Sequence, residues 1–148
     1  MHQNTPAPQT WRLLALAILL IGLSGTATEL GLLGHYEDRY QWTPLILLSL
    51  GIVAVIVVMV RPSRFNLRWF RVIMASYLPA AVAGLYFHIR SNVEFELEMR
   101  PSMAGFELVR ESLTGAMPAL APGAMAQLGL IGLLICFRHP ALQSADTA

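Results

Sequence analysis

Charge is scarce in this sequence. Asp, Glu, Lys and Arg together supply 13% of 148 residues, about half the share usual for a soluble globular domain, while apolar residues supply 55%. A water-soluble chain is disfavoured on that ground. Lysine is missing altogether, so all 10 basic residues are Arg. The one cysteine, Cys136, rules out an internal disulfide and zinc sites built from several cysteines. No Gly-rich phosphate loop, no Gly-x-Ser-x-Gly elbow, no Asn-x-Ser/Thr acceptor, no nucleic-acid module and no useful internal repeat occurs. These gaps argue against soluble-type enzymology and against nucleic acid as a partner.

What the chain does have is long apolar runs. They cover about residues 13–33, 43–60, 69–88 and 119–137, each near the ~20 residues that cross a ~30 Å hydrocarbon core as a helix. In that core every backbone N–H and C=O must be bonded internally, and the runs lack the alternation of barrel strands. The expected fold is therefore all-α: a single polytopic membrane domain, 1–148, forming a four-helix bundle. Leu13–Leu23 followed by Gly25-Thr26-Ala27 also has the form of a cleaved signal peptide. The apolar run continues through Leu30, Leu32 and Leu33 behind a tail with a single Arg, which favours a span.

Net charge is +1 and implies no partner, but its distribution is informative. Arg12, Arg61, Arg64, Arg68, Arg71 and Arg138 fall in the N-terminal tail, the loop between the second and third runs, and the C-terminal tail; the acids lie elsewhere, Asp146 excepted. Excess Arg marks the cytoplasmic side, so both ends are expected there, in a bacterial-type inner membrane. Arg61, Arg64, Arg68 and Arg71 recur at helical spacing and are candidates for contact with anionic lipid headgroups, beyond their role in setting topology.

The outer segment, about 89–118, is too long to be slack. Val93-Glu94-Phe95-Glu96-Leu97-Glu98-Met99 alternates like a strand, yet Glu96 and Arg100 would also be neighbours on a helix, and the pattern does not decide. After Pro101, Ser102 is placed to cap a short helix to Leu113 with Phe106, Val109 and Leu113 on one face, expected to lie along the outer membrane surface.

Glu29 lies ~24 Å along the first span, some 6 Å below the outer boundary, and His88 lies at a similar depth on the third. Gly22, Gly25, Thr26 and Glu29 share one helical face; Tyr77, Ala81, Gly84 and His88 share another. Small residues let membrane helices approach closely, so the first and third spans are expected to pack, bringing Glu29 to His88. With His35, Glu37 and Asp38 in the first outer loop, these groups form a candidate metal or proton site of imidazole and carboxylate ligands. No metal-binding spacing is present, and His35, in a loop, is poorly placed for bis-His haem ligation. Gln127 is expected to bond a neighbouring helix, and Pro79 to bend its own.

The functional expectation is a small non-enzymatic inner-membrane protein, either an accessory or structural subunit of a membrane complex or a self-associating bundle. Its partners would be lipids and other membrane subunits. The alternative is a transport or redox component that binds a metal ion or protons at Glu29, His35, Glu37, Asp38 and His88.

Overall fold

The computed structural model describes residues 9–115 and 117–143. They form helices only: α1 (Gln9–Leu32), α2 (Trp42–Val60), α3 (Arg64–Met99), α4 (Gly105–Thr114), α5 (Gly123–Cys136) and the single turn α6 (Pro140–Gln143). Three of these, α1, α2 and α3, are long and apolar enough to cross a membrane. The fourth apolar helix, α5, has 14 residues, about 21 Å, and is shorter than the expected run because Pro118 and Pro122 hold residues 118–122 in turns.

The ambiguous segment 93–99 is helical. α3 runs unbroken for 36 residues, ~54 Å, straight through Pro79 and on to Met99. The alternating acids are accommodated because Glu94 pairs with Arg90 at 2.7 Å and Glu96 with Arg100 at 2.9 Å, one helical turn apart. Ser63 caps the start of α3 by accepting from Asn66 N at 3.2 Å.

The described residues that follow α3 run back along it. Ser112 and Met117 meet Asn92, Pro118 meets His88, Pro122 lies against Gly84, Gly129 and Gly132 against Met74, and Cys136 against Leu67. Partner numbers rise as α3 numbers fall, so α4 and α5 are two pieces of one antiparallel companion, interrupted by residues 115–122. The contact is close where glycine allows it. A Cβ on Gly129 would stand 2.7 Å from the Met74 carbonyl oxygen and 2.9 Å from Tyr77 Cβ, and one on Gly132 would collide with the Met74 side chain. Leu19, Leu23, Leu48, Val55, Phe70 and Ile135 fill the core around this seam.

Tyr77 sits at its centre, fully buried, and donates to Leu47 O of α2 at 2.7 Å. That carbonyl is reachable because Gly51, one turn on, has no side chain; a Cβ there would strike the Tyr77 hydroxyl.

Several local expectations change. α1 packs against α2 and α5, and α3 against α2, α5 and α4, so the first and third spans do not form the expected pair. Gly22 faces Leu128 of α5, and Gly84 faces Pro122. Ala81 is buried, Thr26 half-buried, and Gly25 has nothing within 4 Å of a would-be Cβ. Gln127 points out of the bundle, exposed. Ser102 does not cap α4, because residues 100–103 are used for the reversal, with Met103 N bonded to Arg100 O at 3.0 Å and its side chain buried.

Gly129→Ala is expected to lower thermal stability in detergent by roughly 1–3 kcal/mol, since the methyl meets backbone that cannot move aside. Gly25→Ala should cause no loss. Parallel thermal unfolding of the two variants checks the α3–α5 seam against the α1 face.

Candidate functional site

The outer rim is built by the turns after α1 and by α3 at the same level. Gln41 folds its amide back so that Oε1 accepts from Glu37 N at 2.8 Å and Asp38 N at 3.1 Å, which fixes the loop and turns both acids outward, exposed. Tyr40 stacks on Phe87 with ring centroids 5.2 Å apart, and Tyr36 lies near Trp42. Exposed Tyr and Trp side chains of this kind suit a membrane–water boundary.

His35 is carried into this rim by the loop, and its ring centroid lies 6.5 Å from that of His88. His88 Nδ1 is 3.1 Å from Pro118 O, which as an acceptor places the ring proton on that nitrogen. Of the five residues proposed from sequence, these are the two that come together. Glu29 is exposed on the outer surface of α1, in a shallow groove with Ser24, Gly25 and Thr28, because that face of α1 turns away from α3. No group of three His, Cys, Asp or Glu side chains that could hold a metal occurs among the described residues. Partial burial, helped by the neighbouring His88, holds His35 below the usual histidine range.

Above the rim stands a helical hairpin made by the end of α3 and α4. Its joint is Asn92, 1% exposed. Asn92 Nδ2 donates to Ser112 O and Met117 O, both at 2.8 Å, while Oδ1 accepts from Met117 N at 3.0 Å. One side chain thus satisfies three backbone groups left open where α4 ends. Gly115 leaves room for it, since a Cβ there would be 2.9 Å from Asn92 Cγ. Sequence analysis missed Asn92; its only trace was an uncharged amide beside Ser91 at the start of the alternating acidic stretch.

Arg100 ties the top, reaching Glu96, Glu107 at 3.4 Å and Glu111 at 4.0 Å. Arg100 is half exposed, which limits what each of these contacts contributes. With its polar side on α3, α4 presents Phe106 (82% exposed), Val109 and Leu113 away from the protein. The expected apolar face is therefore present, but it stands upright beside α3 because α4 returns antiparallel along it.

At the inner rim Arg12 donates to Phe137 O at 3.4 Å and to Arg138 O at 3.2 Å, joining the start of α1 to the end of α5. Burial, with Arg12 nearby, holds His139 below the ordinary histidine range. Arg61, Arg64, Arg68 and Arg71 are all exposed. Cys136 is buried beside Leu67 O.

Comparison with family models, curated proteins and solved structures finds no match to this chain. Its own geometry offers two features with chemical meaning at one end of the bundle: a histidine pair at the rim and a bare apolar helix face above it.

A histidine whose proton affinity is lowered by folding binds its proton more readily when unfolded. Stability is therefore expected to fall as pH drops below the ordinary value of 6.5. His35→Gln should flatten that part of the pH profile, leaving the share due to His139; thermal unfolding from about pH 8 down to pH 5 measures it.

Proposed function

We propose that this chain is a four-span, non-enzymatic inner-membrane protein with both ends in the cytoplasm, acting as an accessory or structural subunit, or as a self-associating bundle, through its outer hairpin. α5 supports the fourth crossing by following α3 from Gly84 to Leu67, ~26 Å of rise, with the Pro118–Pro122 turns completing the distance. The Arg excess at Arg12, Arg61, Arg64, Arg68, Arg71 and Arg138 supports the orientation.

The bare face of α4 carries the proposal. The aromatic rim at Tyr40 and Phe87 sets the outer interface, and the 12 residues of α3 that follow rise ~18 Å above it. α4 is paired with that raised part, so Phe106, Val109 and Leu113 stand in or beyond the headgroup layer, where lipid tails do not cover them. An ordered hairpin, locked by Asn92 and holding an apolar stripe in water, is a feature that association would bury.

Phe106→Glu with Leu113→Glu is expected to leave insertion and helix content unchanged while weakening association at least about tenfold. Size and composition of the complex purified in mild detergent measure this and separate a self-associating bundle from a mixed assembly. A lone wild-type monomer would sink the proposal.

The approach of His35 to His88 favours a second reading, a metal-ion or proton-binding transport or redox component at the outer rim. Two imidazoles would need further ligands from water or from the exposed acids Glu37 and Asp38. Bound zinc or copper in the purified chain, lost in His88→Ala and retained in Glu29→Gln, is the outcome that reading expects from elemental analysis.

A further inference from the structure

We propose that the inner end of α3 binds the phosphate headgroup of an anionic phospholipid. Arg64, Arg68 and Arg71 recur at steps of four and three, on one face of the helix, and all three are exposed. Charge is matched very differently at the two ends of the molecule. Every ion pair among the described residues joins Arg90, Arg100 or Arg110 to a glutamate of the outer hairpin. At the inner end no described acid meets Arg61, Arg64, Arg68 or Arg71, and beyond the last helix the sequence holds a single acid, Asp146. These four exposed guanidinium groups therefore have no described acid to supply their counter-charge.

The backbone beneath them is set for an anion. Asn66 Nδ2 and Ser63 N both donate to Arg61 O at 2.8 Å, Ser63 Oγ takes Asn66 N, and Ser63 O takes Leu67 N at 3.0 Å. This pins the turn and leaves the N–H groups of Arg64 and Phe65 without acceptors at the positive end of the helix. Free N–H groups flanked by guanidinium forks are the donor set that phosphate takes.

The neighbouring stripe of the same helix identifies the source. Phe65 and Trp69 are 68% and 55% exposed, their ring centroids 6.1 Å apart, and Val72 continues the line. Bare aromatic rings at the end of a span sit at headgroup level. The anion that the adjacent arginines meet there belongs to a lipid, with Arg71, ~10 Å further along the axis, extending its stem back toward the surface. This inference rests on the membrane reading and is independent of what the outer hairpin binds.

The test uses the full chain in nanodiscs of mixed phosphatidylcholine and phosphatidylglycerol, with retained lipids counted by native mass spectrometry. Wild type is expected to keep phosphatidylglycerol preferentially, and R64Q/R68Q to lose that preference by about 30-fold, two headgroup contacts' worth. R90Q/R110Q at the outer end and D146N should keep it. Terminal reporters establish that R64Q/R68Q inserts in the original orientation; should it invert, R64K/R68K decides, holding the charge and losing the preference several-fold with the guanidinium forks. Equal retention of both lipids by wild type would overturn the proposal. So would an undiminished preference in the arginine variants, a loss in D146N, or displacement of the lipid by inorganic phosphate, which would mark a soluble-anion site.

Discussion

The close approach of α3 to the returning chain is the constraint on which the rest of the structure depends. Helices in a bilayer gain little from hiding apolar surface from one another, because lipid tails are as apolar as the side chains; what holds them is van der Waals contact and a few hydrogen bonds. Gly129 and Gly132 bring α5 onto the backbone of α3 at Met74, and Gly51 lets Tyr77 reach the Leu47 carbonyl of α2. One tyrosine therefore joins three helices at the middle of the bundle. α1 is the most loosely held of the long helices, resting on α2 and α5 and tied at its start by Arg12.

The same pairing carries the outer features. A helix of 36 residues is roughly twice what a hydrocarbon core requires, so if α3 spans one it projects, and whatever pairs with its raised part projects with it. Breaking the companion at Pro118 and Pro122 frees backbone groups that cannot stay open, and Asn92 closes those of the Ser112–Met117 stretch. The break also places Pro118 O beside His88 Nδ1, so the interruption that shapes the hairpin also orients one ring of the histidine pair.

Ion pairing is segregated along the molecule. The α3–α4 hairpin pairs Arg90, Arg100 and Arg110 with its own glutamates, and exposed pairs of this kind mainly give shape to a surface. The opposite end leaves Arg61, Arg64, Arg68 and Arg71 exposed and without an acidic partner among the described residues.

Sequence alone determined the helical class, the presence of helices long and apolar enough to span a membrane, the polarity of charge and the amphipathic face of α4, because each depends on local composition or on a period that a single helix displays. Phe106, Val109 and Leu113 could be assigned to one stripe without knowing what lay opposite. Which helices meet was not legible: Gly25 and Gly129 look alike in a string of apolar letters, yet one faces nothing and the other touches backbone. Glu29 was matched to His88 by depth, and depth fixes height along a helix but not its rotation about the axis. His35 took that place because the turn pinned by Gln41 swung it inward, and Asn92 acquired its role only when α4 folded back. Rotation and return direction are set by packing between distant segments, and only the tertiary structure decides them.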